Sequence, residues 1–189
     1  MKICQLCAVD FTLYHFLLPL MRALRDAGHE VTGVCARGKL SAKVETEGFR
    51  VLEAPIRRSS NPLALWRAYR ALVRMFRDEG FDIVHVHTPV AALVGRLAAA
   101  RAGVPKVVYT AHGFYFHAGM KWPKRFFHMA LEWIGGRCTD LLFTQAAEDA
   151  DTARTLGLSR GPVHAIGNGS DPQRFRPASE DSATRMRVR

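Results

Sequence analysis

Residues 81–117 have the sequence FDIVHVHTPVAALVGRLAAARAGVPKVVYTAHGFYFH. An apolar run of strand length, IVHVH, is followed by a helical pattern that begins at Pro89 and ends at Gly103, and then by a second apolar run, KVVYT. A strand, a helix and a strand in this order are typical of a βαβ unit, whose two strands are parallel. The second strand gives way after Thr110 to His-Gly and interleaved aromatic residues. This change predicts that the strand ends at a binding site.

The same alternation runs through most of the chain. Apolar runs of strand length alternate with helical segments of roughly 10 to 18 residues. The helical segments begin near prolines such as Pro62 and end at glycines such as Gly28 and Gly80. The strands are nearly continuous apolar runs, as expected for a sheet that is buried on both faces. We therefore predict a doubly wound, Rossmann-like α/β domain over residues 1–170, with a parallel sheet of about seven strands.

The composition limits the class of protein. The chain has 189 residues and a formal net charge of +10, from 27 Lys and Arg against 17 Asp and Glu. The positive charge indicates an anionic partner, which is nucleic acid, an acidic membrane surface or a phosphate-bearing ligand. No pattern of a nucleic-acid-binding fold occurs, so no nucleic acid is expected. No apolar run is long enough for a membrane span and no signal peptide is apparent, so a cytoplasmic protein is expected.

Cys4 and Cys7 form a C-x-x-C pair close to the N-terminus. Their odd spacing within an apolar strand sends the two side chains to opposite faces of the sheet. A redox pair of this spacing opens a helix instead, and a zinc site needs a second pair of ligands. Both cysteines are therefore interpreted as core residues.

Polar, turn-forming residues follow four of the predicted strands, in the sequences AVDF, HVHTP, TAHGF and IGNGSD. In a parallel sheet these strand ends meet at the carboxyl edge, where open α/β sheets bind ligands. His112 is the strongest candidate, because a histidine there can hydrogen-bond hydroxyl or phosphate groups, and Gly113 lets a ligand approach the backbone. The alternative is that His112 only caps the strand and Gly113 only makes the turn.

Other residues near these strand ends support less specific predictions. His85 and His87 share one strand face, but without a third ligand no metal is expected, and we interpret His85 as a core residue and His87 as lining the cleft. No GxGxxG or P-loop sequence occurs, so no dinucleotide cofactor is expected.

Two helical segments carry much of the positive charge. Residues 120–133, MKWPKRFFHMALEW, combine cations with aromatic residues, which favours contact with a membrane interface; a core position for the aromatics is the alternative. The predicted membrane-facing residues are Lys121, Trp122, Lys124, Arg125 and Phe126. Residues 62–78 carry an apolar stripe and a face of arginines, and we favour a solvated basic face there. These arginines are Arg67, Arg70, Arg74 and Arg77, joined by Arg57 and Arg58 upstream.

Three sequences follow one another along the chain: VDFTLYHFLLPLMRALRDAGHEV, FDIVHVHTPVAALVGRLAAARAGVPKVVYTAHGFYF and VHAIGNGSDPQRFRP. Together they resemble the N-terminal domain of family 4 glycosyltransferases of the GT-B fold, over residues 1–177. The resemblance is greatest to bacterial members that build capsular, exopolysaccharide or glycan repeat units on lipid carriers.

The resemblance implies a retaining glycosyltransferase without an essential metal, in which this domain binds the acceptor and a second domain binds a nucleotide-diphosphate sugar. The implied partners are that donor, a lipid-linked or glycan acceptor, and an anionic membrane surface at the inner face of the cytoplasmic membrane. His112 is the implied catalytic-site residue, facing the donor sugar and the acceptor. In such a cleft, Phe114, Tyr115 and Phe116 are expected to stack on a sugar or to touch the lipid tail of an acceptor. The implied acceptor-binding residues are Asp10, Phe11, His87, Gly113, Phe114 and Tyr115, and the hinge or donor-side residues are Asn168, Gly169 and Asp171.

The sequence NGSDPQRFRP resembles the family's hinge into the second domain, and the chain ends at Arg189, twelve residues after Pro177. Residues 171–189 are therefore expected to be the hinge and the truncated entry to an absent nucleotide-sugar-binding domain. The chain alone is expected to be inactive. The alternative, from another class, is a non-catalytic module that binds a glycolipid or pairs with a separate partner.

Overall fold

The computed structural model describes residues 1–56, 61–117 and 119–169. The strands in this part of the chain are β1 (Lys2–Val9), β2 (Glu30–Ala36), β3 (Arg50–Glu53), β4 (Ile83–His87), β5 (Lys106–Ala111), β6 (Leu141–Thr144) and β7 (Val163–Ala165). They form one seven-stranded sheet over the described residues, in the order β3-β2-β1-β4-β5-β6-β7, and every pair is parallel. The predicted doubly wound, Rossmann-like fold with about seven strands is confirmed.

Helical segments connect consecutive strands. They are α1 (Asp10–Thr12), a π-helical turn (Leu13–Leu17), α2 (Leu18–Asp26), α3 (Ser41–Thr46), α4 (Pro62–Glu79), α5 (Pro89–Ala102), α6 (Trp122–Gly136) and α7 (Ala147–Leu156). The first three pieces run on from one another, so residues 10–26 are helical throughout. The helix begins at Asp10, directly after β1, and the π-helical turn interrupts it.

The sheet buries an apolar core on each face. Cys4 lies in the cluster that contains residues of α4, α5 and α7, whereas Cys7 lies in the cluster beneath α2 and α3. Both side chains are fully buried, and burial raises the pKa of the Cys4 thiol. The core positions predicted for the C-x-x-C pair, on opposite faces, are confirmed. Neutral buried thiols of this kind are unreactive.

The strand order changes direction at β1, which pairs with β2 on one side and with β4 on the other. The crevice at the carboxyl ends of β1 and β4 is therefore the topological switch point, where ligands bind in sheets of this kind. α5 packs closely over these two strands because Gly95 has no side chain. A Cβ atom there would collide with the side chains of Leu6 and Val86.

A buried ion pair joins α6 to α5. The Arg96 guanidinium is fully buried; its Nη2 donates to Glu132 Oε2 at 2.8 Å and its Nε donates to the Ala92 carbonyl at 3.1 Å. Its Nη1 lies 3.4 Å from Thr139 Oγ1, and its central carbon lies 4.3 Å from the centroid of the Tyr109 ring in β5. The Tyr109 hydroxyl donates to Glu132 Oε1 at 3.4 Å. We call these four side chains, Arg96, Tyr109, Glu132 and Thr139, the arginine cluster.

Candidate functional site

His112 lies directly after β5, at the carboxyl edge of the sheet. Gly113 beside it has a φ of +114°, which only glycine adopts without strain. The His112 ring is exposed, yet both nitrogens have protein partners: Nδ1 lies 2.8 Å from Gln145 Nε2, and Nε2 lies 3.4 Å from His87 Nδ1. Partial burial lowers the pKa of His112, so the ring is neutral at neutral pH.

His87, the last residue of β4, does not line the surface of the cleft. Its side chain is 1% exposed, and its Nε2 lies 2.9 Å from Oε1 of the buried Gln5 in β1. The prediction that His87 lines the cleft is therefore wrong, because His112 lies against it with the two ring centroids 5.6 Å apart. Burial, and then the nearby His85 and His112, lower the pKa of His87 well below its usual value. His87 is thus a neutral hydrogen-bonding group beneath the edge.

His85, two residues earlier in β4, is buried as predicted. Its Nε2 lies 2.8 Å from Thr110 Oγ1, and its ring centroid lies 4.2 Å from that of His87. Burial, with a smaller contribution from His112, lowers the pKa of His85 to about 3. A row of neutral imidazoles therefore leads from the core to the exposed edge. Within the described residues, no group of three or more His, Cys, Asp or Glu side chains is arranged to hold a metal ion.

Asp10, predicted to lie on the acceptor side, follows β1 and binds the loop before α3. Its Oδ2 accepts hydrogen bonds from the backbone N–H groups of Leu40 at 2.7 Å and of Ser41 at 3.1 Å. A Cβ atom on Gly38 would lie only 2.6 Å from the same oxygen, so the loop closes tightly around the carboxylate. This structural role of Asp10 is a finding that the sequence did not indicate, and contact of Asp10 with an acceptor stays a prediction.

Thr88, between β4 and α5, has a φ of +65°. This conformation is a genuine outlier for a β-branched residue. The Thr88 Oγ1 accepts a hydrogen bond from the Ala8 N–H at 3.2 Å, which joins the ends of β1 and β4 at the switch point. Strained backbone of this kind clusters at functional sites. Sequence reasoning missed Thr88, because nothing in HVHTP indicates a positive φ.

Exposed aromatic residues surround the end of β1. Phe11 is exposed, as predicted for a ligand-contacting residue, and its ring centroid lies 4.4 Å from that of His15. Phe16, in the π-helical turn, is also exposed and lies 6.1 Å from Phe11, centroid to centroid. π-helical turns occur frequently at functional sites. His15 and Phe16 are therefore further candidates that the sequence analysis did not single out.

The loop between β5 and α6 alternates exposed and buried aromatic residues. Tyr115 is 54% exposed, whereas Phe114 is half-buried and stacks on the buried Phe116 with ring centroids 5.2 Å apart. The expectation that Phe116 meets a ligand is wrong, because this ring fills the core beneath the loop. Tyr115 lies against α6 instead, 4.5 Å from His128 between ring centroids and 5.7 Å from Lys124 Nζ.

One side of α6 presents aromatic residues to solvent. Trp122 is 78% exposed and Phe126 is 66% exposed, and Phe127 and Trp133 are exposed as well. The alternative of core positions for these side chains is therefore wrong, and we call the four residues the α6 aromatic surface. The predicted membrane-facing cations beside them are all exposed: Lys121, Lys124 and Arg125. In the described part of the chain, no helix is both long enough and apolar enough to cross a membrane.

The predicted hinge lies only partly within the described residues. The Ile166 N–H donates to the Thr144 carbonyl at 2.8 Å, which continues the pairing of β6 with β7 toward the carboxyl edge. Asn168 and Gly169 follow and are exposed. The sequence analysis also names Arg57, Arg58, Asp171, Pro177 and Arg189; these five residues, and with them the expected domain entry at residues 171–189, lie outside the described residues.

The parallel sheet, its switch point and the polar carboxyl edge define a Rossmann-like domain of the kind that forms half of a GT-B protein. The sequence model described as Glycosyltransferase Family 4 matches residues 15–174, and this chain belongs to that family. The resemblance found in the sequence is thus confirmed.

Known relatives extend the comparison. The Bacillus subtilis (strain 168) protein EpsD is 36% identical over 190 residues, which cover 98% of this chain and 49% of EpsD. An Escherichia coli enzyme, UDP-Gal:alpha-D-GlcNAc-diphosphoundecaprenol alpha-1,3-galactosyltransferase, is 34% identical over 109 residues, 57% of this chain and 28% of the enzyme. The structure of Anabaena Alr3699/HepE with UDP and glucose shares the fold, with a TM-score of 0.67 at 18% identity, covering all of this chain and 50% of HepE. The chain thus spans about half the length of EpsD and HepE.

Proposed function

We propose that this chain is the acceptor-binding domain of a retaining glycosyltransferase. The enzyme transfers a sugar from a nucleotide-diphosphate sugar to a lipid-linked or membrane-proximal glycan acceptor, at the inner face of the cytoplasmic membrane. The donor is bound mainly by a second domain. The observation that carries the proposal is the exposed, neutral His112 at the carboxyl edge, in a chain of glycosyltransferase family 4.

His112 supplies a hydrogen bond to a sugar hydroxyl or a phosphate oxygen. A neutral imidazole can do so without placing a charge in the cleft. The contacts with Gln145 and His87 hold the plane of the ring. The turn at Gly113 is open, since no other described residue beyond its chain neighbours lies within 4 Å of where a Cβ on Gly113 would be. We assign His112 to orientation of the reacting groups rather than to obligatory removal of a proton.

The α6 aromatic surface and its cations hold the domain on an anionic membrane. Aromatic side chains favour the level of the lipid headgroups, and Lys and Arg beside them are attracted to anionic lipid. Tyr115 joins this surface to the loop after His112, through its contacts with His128 and Lys124. A lipid-linked acceptor therefore reaches the carboxyl edge while its tail stays in the bilayer.

Transfer is tested by fusing this chain to the part of EpsD that it does not cover. The fusion is supplied with membranes that contain lipid-linked acceptors and with a panel of nucleotide-diphosphate sugars. We expect a lipid-soluble product from the fusion and from neither half alone, with the anomeric configuration of the donor retained. Acceptor binding without transfer would favour the non-catalytic glycolipid-binding module instead. An inverted product would contradict the retaining reaction.

Membrane contact is tested by sedimenting the chain with vesicles that contain phosphatidylglycerol. Replacing Lys121, Lys124 and Arg125 together by Ser should weaken binding by roughly 3 kcal/mol at low salt, because each cation near an anionic surface contributes about 1 kcal/mol. Trp122→Ala with Phe126→Ala should weaken binding at high salt as well, because apolar insertion is not screened.

The matched control removes the same charge from the opposite edge of the sheet. It replaces three exposed cations by Ser: Lys2, Arg101 and Lys106. These residues lie at the start of β1, the end of α5 and the start of β5. If the control weakened vesicle binding as much as the α6 triple variant, net charge rather than α6 would account for the contact.

A further inference from the structure

Four side chains form one hydrogen-bonded line across the carboxyl edge. Gln145, after β6, lies 2.8 Å from His112, and His112 lies 3.4 Å from His87 at the end of β4. His87 in turn lies 2.9 Å from Gln5, in the neighbouring β1. We call these residues the histidine line. It runs from the fully buried Gln5 amide, through the exposed His112 ring, to the half-buried Gln145.

The atoms in contact determine the direction of every hydrogen bond in the line. Gln5 presents Oε1, which only accepts, so His87 carries its proton on Nε2 and its Nδ1 is bare. The His112 Nε2 must then donate to that bare nitrogen, which leaves His112 Nδ1 without a proton. This Nδ1 lies against Nε2 of Gln145, an amide nitrogen that donates. The contact with Gln145 therefore also requires that His112 Nδ1 carries no proton. The lowered pKa values of both histidines keep the two rings neutral, as this arrangement requires.

We propose that Gln5, His87 and Gln145 are positioning residues that hold His112 as its neutral Nε2–H tautomer, so that His112 meets its ligand as a hydrogen-bond donor. The inference rests on the proposed function for the chemistry of that ligand, an oxygen of a sugar hydroxyl or of a phosphate. The 3.4 Å contact between His112 and His87 is long for a hydrogen bond. A ligand oxygen can therefore take over the Nε2 proton without breaking a strong bond.

Gln5 determines the direction of the line. Its Nε2 is buried and has no hydrogen-bond partner among the described residues, which destabilises the fold. Turning the amide over would present an N–H to His87, reverse each bond and leave His112 with a bare Nε2. An apolar side chain of the same size would avoid the unpaired amide. We therefore assign the Gln5 amide a role in fixing the tautomer of His112, through His87, rather than a role in stability.

The direct test is a long-range proton–nitrogen NMR correlation of the 189-residue chain, with isotope-labelled histidine, at neutral pH. This experiment distinguishes a protonated ring nitrogen from a bare one. The expected result is a protonated Nε2 and a bare Nδ1 on both His87 and His112. A bare Nε2 on His112, or a proton on both of its nitrogens, would overturn the proposal.

Variants separate positioning from simple packing. Gln5→Met removes the amide and keeps the approximate size of the side chain, so the chain should remain folded while His112 becomes a mixture of tautomers. Gln145→Ala, at the half-buried end of the line, gives a second measurement in a position where folding is not at risk, and should raise the Nδ1–H population of His112. Thr110→Val is the control, because it breaks only the bond to His85.

The outcome is decided by comparing these variants. A tautomer of His112 that changes in Gln5→Met and Gln145→Ala but not in Thr110→Val supports the positioning role. An unchanged tautomer in both line variants, or an equal change in Thr110→Val, overturns it.

Transfer by the EpsD fusion gives a separate readout. Gln5→Met should lower transfer roughly tenfold at unchanged stability, the lower end of the loss seen when the hydrogen-bond partner of a metal-binding histidine is removed. The two proposals fail in different ways. The predicted tautomer together with full transfer by His112→Ala would overturn only the role of His112 in transfer, and no transfer by the unaltered fusion would overturn the proposed function. The other tautomer together with transfer lost in His112→Ala would overturn only the positioning role.

Discussion

The arginine cluster and the histidine line are two buried polar groups that contact the same strand, and they are built differently. The arginine cluster packs around Tyr109 inside β5, and its guanidinium is bonded to Glu132, Thr139 and the Ala92 carbonyl. The histidine line crosses the end of β5, reaches solvent at His112 and leaves Gln5 Nε2 unpaired among the described residues. One group is closed within the fold, and the other opens at the carboxyl edge.

This difference separates stability from ligand binding. A buried charge is tolerated only when it is paired, so losing one member of a closed cluster damages the whole fold. A line that reaches solvent at an exposed ring and carries an unpaired amide stabilises the fold less than apolar packing would. We therefore expect the arginine cluster to govern the free energy of unfolding and the histidine line to govern the site.

The largest effect on stability is expected at Glu132. Glu132→Ala leaves the Arg96 guanidinium buried without its carboxylate and should lower the free energy of unfolding by about 3–5 kcal/mol. Urea denaturation measures this loss. The control is Glu45→Ala, since Glu45 pairs with Arg37 at the surface at 2.9 Å and such exposed pairs contribute at most about 1 kcal/mol. Equal losses in the two variants would contradict the contrast between a closed cluster and a surface pair.

The next largest effect is a dependence of the free energy of unfolding on pH, which the buried histidines cause. Burial lowers the pKa of His85 to about 3 and that of His87 well below its usual value, whereas histidines in the unfolded chain titrate near pH 6.5. The unfolded state therefore binds protons that the folded state does not, and stability falls as the pH falls below about 6.5. His85 alone should account for a loss of about 2 kcal/mol between about pH 7 and pH 5.

Urea denaturation at the two pH values checks this expectation. His85→Asn should make the free energy of unfolding depend less on pH. The unfolded variant no longer has an imidazole at residue 85 that takes up a proton. His15→Gln removes an exposed histidine and serves as the control, with the dependence of the wild type. Stability that stayed constant or increased on acidification over this range would show that His85 is not held neutral in the fold.

A smaller effect on the free energy of unfolding is expected from a substitution at Gly113. Its φ of +114° is unfavourable for any side chain, so Gly113→Ala should cost about 1–2 kcal/mol of unfolding free energy. Nothing lies within 4 Å of a Cβ at this position, so the cost is conformational rather than steric. Gly169→Ala is the control, since Gly169 has the same open surroundings among the described residues and no left-handed φ. Denaturation midpoints that fell equally in both variants would refute this explanation of the turn.

The smallest effect on stability is expected at His112. Its ring is exposed and its contact with His87 is long, so His112→Ala should change the free energy of unfolding by less than about 0.5 kcal/mol. Thermal and urea unfolding measure this change. A loss comparable to that of Glu132→Ala would place His112 with the arginine cluster as a structural residue, and the separation of stability from ligand binding would not hold.

Much of the fold could be predicted because local chemistry marks it. Pro62 and Pro89 begin α4 and α5, and Gly80 and Gly103 follow their ends, as the sequence analysis placed them. The position of His112 at the carboxyl edge also follows, since a parallel sheet brings the ends of its strands together. These predictions depend on chain neighbours and on the class of the fold alone.

The depth of side chains could not be predicted in the same way. Alternation along a strand assigns His87 to a face of the sheet, but it does not show that His112 covers it. Phe116 is a similar case, since its loop folds back over the core. The partner of Asp10 is the backbone at Leu40, thirty residues along the chain. Contacts between distant segments decide all three positions, and no local pattern reports them.

We propose that transfer takes place at the carboxyl edge around His112. The most direct measurement compares the EpsD fusion carrying His112→Ala with the same fusion carrying His29→Ala. His29 lies between α2 and β2, at the opposite edge of the sheet. We expect a loss of transfer on the order of a hundredfold for His112→Ala, the range for removing one aligned hydrogen-bond donor, and none for His29→Ala. Transfer by His112→Ala at nearly the wild-type rate would contradict it.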